Sequence, residues 1–172
     1  MAVTVLTNNS YLRIGIKELM RNSNLVDDVI VLDLDSFNSL YELIGELEVL
    51  RLPKNKRLTY VGSKSIIFRL MDKLNPIPVS ESLLRIKNDI SAIKLSTFKE
   101  LKEMVNQYHQ LSLLTVRERQ CLHALCQEEN ILRSAKLTNM TEKTFYTMVR
   151  NVTSKLNLQG LLQLRVFLSK EF

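Results

Sequence analysis

Residues 29–34, VIVLDL, set the tightest limit on what this chain can become. Successive side chains of a strand point to opposite faces, so an apolar run without alternation needs cover on both sides. That is the situation of a parallel strand with helices in front and behind. The surroundings agree. VTVL at 3–6 reads as a first strand and runs into Thr7-Asn8-Asn9-Ser10, a turn with a ready helix cap. A helix over about 11–21 follows, with Leu12, Ile16, Leu19 and Met20 on one side. After VIVLDL, Phe37, Leu40, Leu43, Ile44 and Leu47 recur at helical spacing. RLTYV at 57–61 predicts a third strand ending at Gly62, then a helix over 64–74 stopped by Asn75-Pro76. A short fourth strand at 77–79 leads into a helix opened by Ser80 or Glu81. Strand alternating with helix implies βαβ units and right-handed crossovers.

Beyond residue 80 no further strand is expected. Thr97-Phe98-Lys99-Glu100 is a capping box, and Phe98, Leu101, Val105 and Tyr108 then form an apolar stripe. The stripe suits either a linker helix packed on its own chain or a dimer contact. Thr115-Val116-Arg117-Glu118 is a second capping box and opens a helix through Cys126 that buries Cys121, Leu122 and Leu125. A short segment at 130–137 offers Ile131, Leu132 and Ala135 as its apolar residues. A further helix runs from Thr141 to Leu156, where Asn157 can take the left-handed position. The last spans 159–169.

Charge separates the two halves. The chain carries +6, of which +2 belongs to residues 1–109 and +4 to the shorter 110–172. A basic helical module joined to a near-neutral domain favours an acidic partner such as nucleic acid. No apolar run approaches the roughly 18 to 20 residues of a membrane span, and MAVTVLTNN lacks the pattern of a signal peptide, so a soluble, cytoplasmic protein is expected. Cys121 and Cys126, five apart, have neither disulfide-framework nor zinc-ligand spacing. His109 and His123 belong to no recognisable catalytic motif and the four glycines form no phosphate loop, so neither an enzyme nor a cofactor or metal site is expected.

TEKTFYTMVRN at 141–151 carries the chemistry. With Thr141 as cap, Phe145, Val149, Val152 and Leu156 make a buried stripe, and Met140 and Phe145 a hydrophobic staple. Lys143, Tyr146, Thr147, Arg150 and Ser154 are left on the outer face. Lysine and arginine there can neutralise phosphates, and arginine can pair with a guanine edge. A capped helix after a short helix and a tight polar turn is the geometry of a DNA recognition helix. The same pattern also fits a solvated amphipathic helix.

LLTVRERQCLHALCQ at 113–127 followed by MTEKTFYTMVRNVTSKLNL at 140–158 resembles the LuxR/FixJ-type helix-turn-helix domain of bacterial transcription regulators. Leu114-Thr115-Val116-Arg117-Glu118, Thr141, Thr144-Phe145, Asn151 and Lys155-Leu156 carry the resemblance, which covers about the last 60 residues. Departures are Glu128 at a family glycine, Arg133-Ser134 for an acid-isoleucine pair, and Met148 at a common histidine position. The resemblance implies Tyr146, Thr147 and Arg150 as base-reading residues and Lys143, Thr144, Asn151 and Lys155 as backbone contacts. It also implies pairing through the last helix, with Leu161, Leu162 and Gln163 as dimer candidates, although the leucines suit packing within the monomer equally.

Strand-helix alternation ahead of such a domain is similar to a response regulator receiver, which needs an acidic pair after its first strand to hold magnesium. This chain has Thr7-Asn8-Asn9 there, Asp33 and Asp35 after the second strand, and no lysine in Pro76–Ser80. One βα unit is missing from the pattern. The expected fold class is therefore a truncated, receiver-like α/β domain at 1–94, a linker helix at 95–111 and an all-α four-helix LuxR-type domain at 112–172. The combination is similar to the small enterobacterial regulators of acid resistance, capsule and fimbriae. It implies a dimeric, sequence-specific DNA-binding regulator independent of phosphorylation, as a homodimer or paired with another LuxR-type protein. The alternative is an interaction protein that sequesters other regulators without touching DNA.

Overall fold

In the computed structural model, residues 3–21, 28–50, 57–63, 65–91, 96–128 and 130–172 are described. They divide into two compact units, Met1–Met104 and Val105–Phe172. The expected boundaries at 94 and 112 bracket this division, which falls inside a single helix.

The first unit is built on the apolar run. Strand β2 (Val29–Asp33) is buried at every residue and lies between β1 (Thr4–Leu6) and β3 (Arg57–Gly62), parallel to both. Val5, Val29, Val31, Val61 and Ile77 face helices α1 (Ser10–Met20) and α4 (Leu83–Ser91), which contribute Ile16, Met20, Ile86 and Ile90 to one cluster. The alternate residues Ile30, Leu32, Leu58 and Tyr60 are buried as completely. Helix α2 (Leu40–Val49) adds Leu40, Leu43 and Leu47 to the core. Gly62 ends β3 where a Cβ would come within 3.1 Å of Phe68 and 3.3 Å of Leu34, so the strand end closes tightly on the next helix.

Three details differ from the sequence expectation. The helix expected over 64–74 is a short α3 (Ile66–Leu70) followed by a 3-10 turn at Asp72–Leu74, closed by Asn75 at φ 50°. Met71 is fully buried at φ −89°, ψ 10°, outside α geometry, so packing breaks the helix there. Helix α4 starts at Leu83, with the Ser82 hydroxyl accepting the Arg85 amide at 3.3 Å, and not at Ser80 or Glu81. A strand also lies beyond residue 80. After β4 (Ile77–Pro78), parallel to β3, the two-residue β5 (Ser96–Thr97) pairs antiparallel with the other end of β3. Two residues leave no periodicity to read. Ser96 also donates to the Tyr60 hydroxyl at 2.6 Å. Burial pushes that phenol well above its ordinary value, against the effect of the Ser96 hydrogen bond.

Helix α5 (Phe98–His109) starts on the expected capping box, with Thr97 N–H donating to Glu100 at 2.7 Å. Leu101, Val105 and Tyr108 of its stripe are buried within the chain. The second unit continues with α6 (Val116–Gln127), α7 (Ile131–Leu137), α8 (Glu142–Lys155) and α9 (Gly160–Glu171). Glu128 follows α6 with φ −129°, a conformation open to any residue, so the missing glycine costs nothing there. Of the three apolar residues expected in helix α7, Ala135 is buried and Ile131 half-buried. Leu132 is 49% exposed, and Ser134 sits fully inside with Ala135. The Ser134 hydroxyl lies 3.1 to 3.4 Å from the carbonyls of Ala124, Glu128 and Asn130, so backbone acceptors satisfy a polar residue in an inner position.

Candidate nucleic-acid interface

The turn before α8 fixes how that helix is presented. Ala135 O accepts the Thr138 and Met140 amides at 3.2 and 3.0 Å, while Asn139 takes φ 52°. Thr141 then caps α8, its hydroxyl accepting the Thr144 amide at 3.2 Å. Phe145, Val149, Val152 and Leu156 are buried, as the spacing predicts, against a unit in which α6 packs on α7, α8 and α9. Met140 reaches Cys121, with sulfurs 3.8 Å apart.

The opposite face is open. Lys143, Thr144, Thr147, Arg150, Asn151 and Ser154 are exposed, and Tyr146 is 51% exposed. Met148 is half-buried at the edge of this face. Lys143, Thr147, Arg150 and Ser154 stand at i, i+4, i+7 and i+11, in one row along the helix. Among the described residues no carboxylate pairs with Lys143 or Arg150. Thr147 turns its hydroxyl back onto the helix, donating to Lys143 O at 3.0 Å. The Thr144 hydroxyl lies 2.8 Å from that of Thr141.

Lys155 is differently placed. Its ammonium donates to Glu118 Oε2 at 2.7 Å, the same oxygen that accepts the Thr115 amide at 2.7 Å in the α6 capping box. Glu118 is 4% exposed. Burial raises its carboxyl, but the Lys155 and Thr115 hydrogen bonds outweigh that and hold it below the ordinary value. One carboxylate thus ties the start of α6 to the end of α8. The capping motif announces only its local half.

On α9, Leu161 and Gln163 are half-buried and Leu162 is 76% exposed. Gln163 Oε1 accepts the Gln159 amide at 2.7 Å, just ahead of the helix. Leu164, Phe167 and Leu168 supply its buried side.

In the first unit, Asp33 and Asp35 border a cleft of about 690 Å³ with Asn8, Asn9, Ser36 and Asn38. Asp33, 4% exposed, is engaged on both oxygens by the chain itself. Thr7 and Ser36 hydroxyls donate to its Oδ2 at 2.5 and 2.8 Å, and the Asp35 amide donates to Oδ1 at 3.1 Å. Asp35 Oδ2 accepts the Ser63 amide at 2.6 Å. This donor set does not fit a magnesium ion: the first strand brings a hydroxyl where the cation needs carboxylates, and that hydroxyl occupies an Asp33 oxygen. Among the described residues no group of three or more His, Cys, Asp or Glu side chains can hold a metal. The roles of Thr7 and Ser36 were missed in the sequence, where only the Asp33-to-Ser36 spacing hints at a local bond.

No family model and no curated protein matches the chain. Solved structures do match it, two of them as follows, over nearly the full length of both chains. A DNA complex of the two-component response regulator RcsB superposes with TM-score 0.66 at 14% identity, covering 98% of this chain and 97% of that one. A structure of two RcsB dimers bound to two parallel DNAs gives 0.67 at 15%, with the same coverage. The chain has the response-regulator fold. A receiver-like parallel sheet precedes a helix-turn-helix unit, in the order the LuxR/FixJ-type resemblance implied. At such low identity the likeness is one of architecture, and the side chains above carry any argument about chemistry. No helix among the described residues is long and apolar enough to cross a membrane.

Proposed function

We propose that the chain is a sequence-specific DNA-binding transcription regulator that inserts α8 into a major groove and acts as a dimer without phosphorylation. The observation that carries this is the outer row of α8, in which Lys143 and Arg150 are exposed with no carboxylate partner among the described residues. Unpaired cations on a capped helix suit phosphates and base edges. Tyr146, Thr147 and Arg150 face the bases; Lys143, Thr144 and Asn151 face the backbone. Lys155 holds Glu118 and keeps further N–H donors for a phosphate. The RcsB structures, a DNA complex and dimers on DNA, support this use of the fold.

Independence from phosphorylation is supported by Thr7, which stands where a receiver needs a carboxylate and whose hydroxyl engages Asp33, one of the two aspartates after the second strand. Dimerisation, with itself or with another LuxR-type protein, is assigned to α9 on the family resemblance, which places Leu161, Leu162 and Gln163 at the contact; Leu162 is open to solvent there. Nothing in this reading calls for catalysis or a cofactor.

Fluorescence anisotropy with promoter fragments tests it. A base contact is worth about 1–3 kcal/mol and a lost phosphate contact adds to that, so changing Arg150 and Lys143 to alanine together should weaken binding at moderate salt by about tenfold or more. Indistinguishable binding by wild type and double variant would reject the reading, leaving a regulator that acts only through other proteins.

A further inference from the structure

Thr147 stands in the middle of the outer row, and its hydroxyl is already used. Oγ1 donates to Lys143 O, one turn back in the same helix, at 3.0 Å. The side chain is exposed and its hydroxyl proton is committed to the helix. The oxygen keeps only acceptor lone pairs, so against a thymine edge, which offers an acceptor and a methyl but no donor, the group left to make contact is the Thr147 methyl. Arg150 lies three residues further along the same row, exposed and without a carboxylate partner among the described residues. Three residues of α-helix advance roughly 4.5 Å, close to the 3.4 Å or so between stacked base pairs. With α8 lying along the groove, the two side chains are close enough to address neighbouring base pairs.

We propose that α8 reads a thymine through contact between the Thr147 methyl and the thymine C5-methyl, with Arg150 on the O6 and N7 of an adjacent guanine. In the major groove the C5-methyl marks thymine alone, and an arginine fork fits guanine's two acceptors. Thr147 thus acts as a valine would, although its residue type suggests a hydrogen bond. The proposal rests on the DNA-binding reading above and deepens it to base identity.

The test begins with in vitro selection by the full-length protein from randomised duplexes, which supplies a site without knowledge of the natural one. The selected site should contain a thymine and a guanine at neighbouring base pairs. Replacing that thymine by deoxyuridine, which lacks only the methyl, should weaken wild-type binding about fourfold, the value of one buried methyl group. Thr147→Val, which keeps a methyl and deletes the hydroxyl, should still discriminate thymine from uracil about fourfold. Thr147→Ser, which keeps the hydroxyl and deletes the methyl, should bind both duplexes equally. Replacing the guanine by 7-deazaguanine should weaken wild type at least about fivefold and leave Arg150→Ala unaffected. The opposite pattern, with Thr147→Ser behaving as wild type and Thr147→Val losing discrimination, overturns the proposal, as does a wild-type protein indifferent to the thymine methyl. Failure of wild type to retain any duplex overturns instead the DNA-binding reading on which it rests.

Discussion

Replacing Glu118 with glutamine tests how the helix-turn-helix is held together. The carboxylate oxygen Oε2 receives both the Thr115 amide and the Lys155 ammonium at 2.7 Å. Glutamine keeps a carbonyl acceptor for the Thr115 amide, so the cap persists and only the charge is lost. A hydrogen bond to a charged group contributes about 1.5–3 kcal/mol. The Lys155 side chain is 40% exposed, so water screens part of the pair, and about 1–1.5 kcal/mol is the expected loss. Glu118→Ala also removes the cap acceptor, adding about 1 kcal/mol. The direction of the pH effect follows from the lowered carboxyl. A carboxylate stabilised in the folded state binds its proton less readily there than in the unfolded chain. The stabilisation is complete above the ordinary glutamate value of about 4.3 and fades as pH falls through the lowered folded one. Amide hydrogen exchange on the full chain, read at α6 and α8, should show faster opening in the variant at neutral pH and convergence with wild type in acid. A double-mutant cycle with Lys155→Met should return a coupling of about 1 kcal/mol. Equal exchange at neutral pH, or a gap that persists unchanged in acid, would refute the argument.

Other substitutions probe other parts of the account. Thr7→Val removes a hydroxyl from a buried carboxylate and should cost about 1–3 kcal/mol in urea unfolding of the first unit. Acetyl phosphate or beryllofluoride with magnesium should give no adduct by mass spectrometry and no change in oligomeric state. Phe145→Ala opens the centre of the α8 core and should cost about 3–5 kcal/mol, abolishing DNA binding by unfolding α8, visible as lost circular dichroism. Leu162→Glu should leave the fold intact, because the side chain is already in water, while shifting a dimer towards monomer in analytical ultracentrifugation.

How much was legible in the sequence depends on distance along the chain. VIVLDL announced a strand covered on both faces because every residue of the run carries the signal, and the structure buries all of Val29–Asp33. The α8 stripe was legible for the same reason. Two-residue β5 left no pattern, since its place depends on β3 some forty positions away. Ser134 was unreadable as a core residue because its burial needs carbonyls from the end of α6 and the α7 cap, which only the fold supplies. Glu118 and Thr7 show the same limit. The capping box declares the bond to Thr115, but Lys155 is 37 residues away, and Thr7 meets Asp33 across 26. At the candidate interface, periodicity separated the inner from the outer face of α8; which hydroxyls and cations remain free for a ligand became visible only in the structure.

Genome-wide DNA occupancy of the wild-type chain beside the Lys143→Ala, Arg150→Ala double variant tests the central claim most directly. Wild type should occupy discrete sites sharing a sequence motif, and a variant that folds and accumulates normally should lose them. An unchanged profile in the variant, or no enriched sites for wild type, would contradict it.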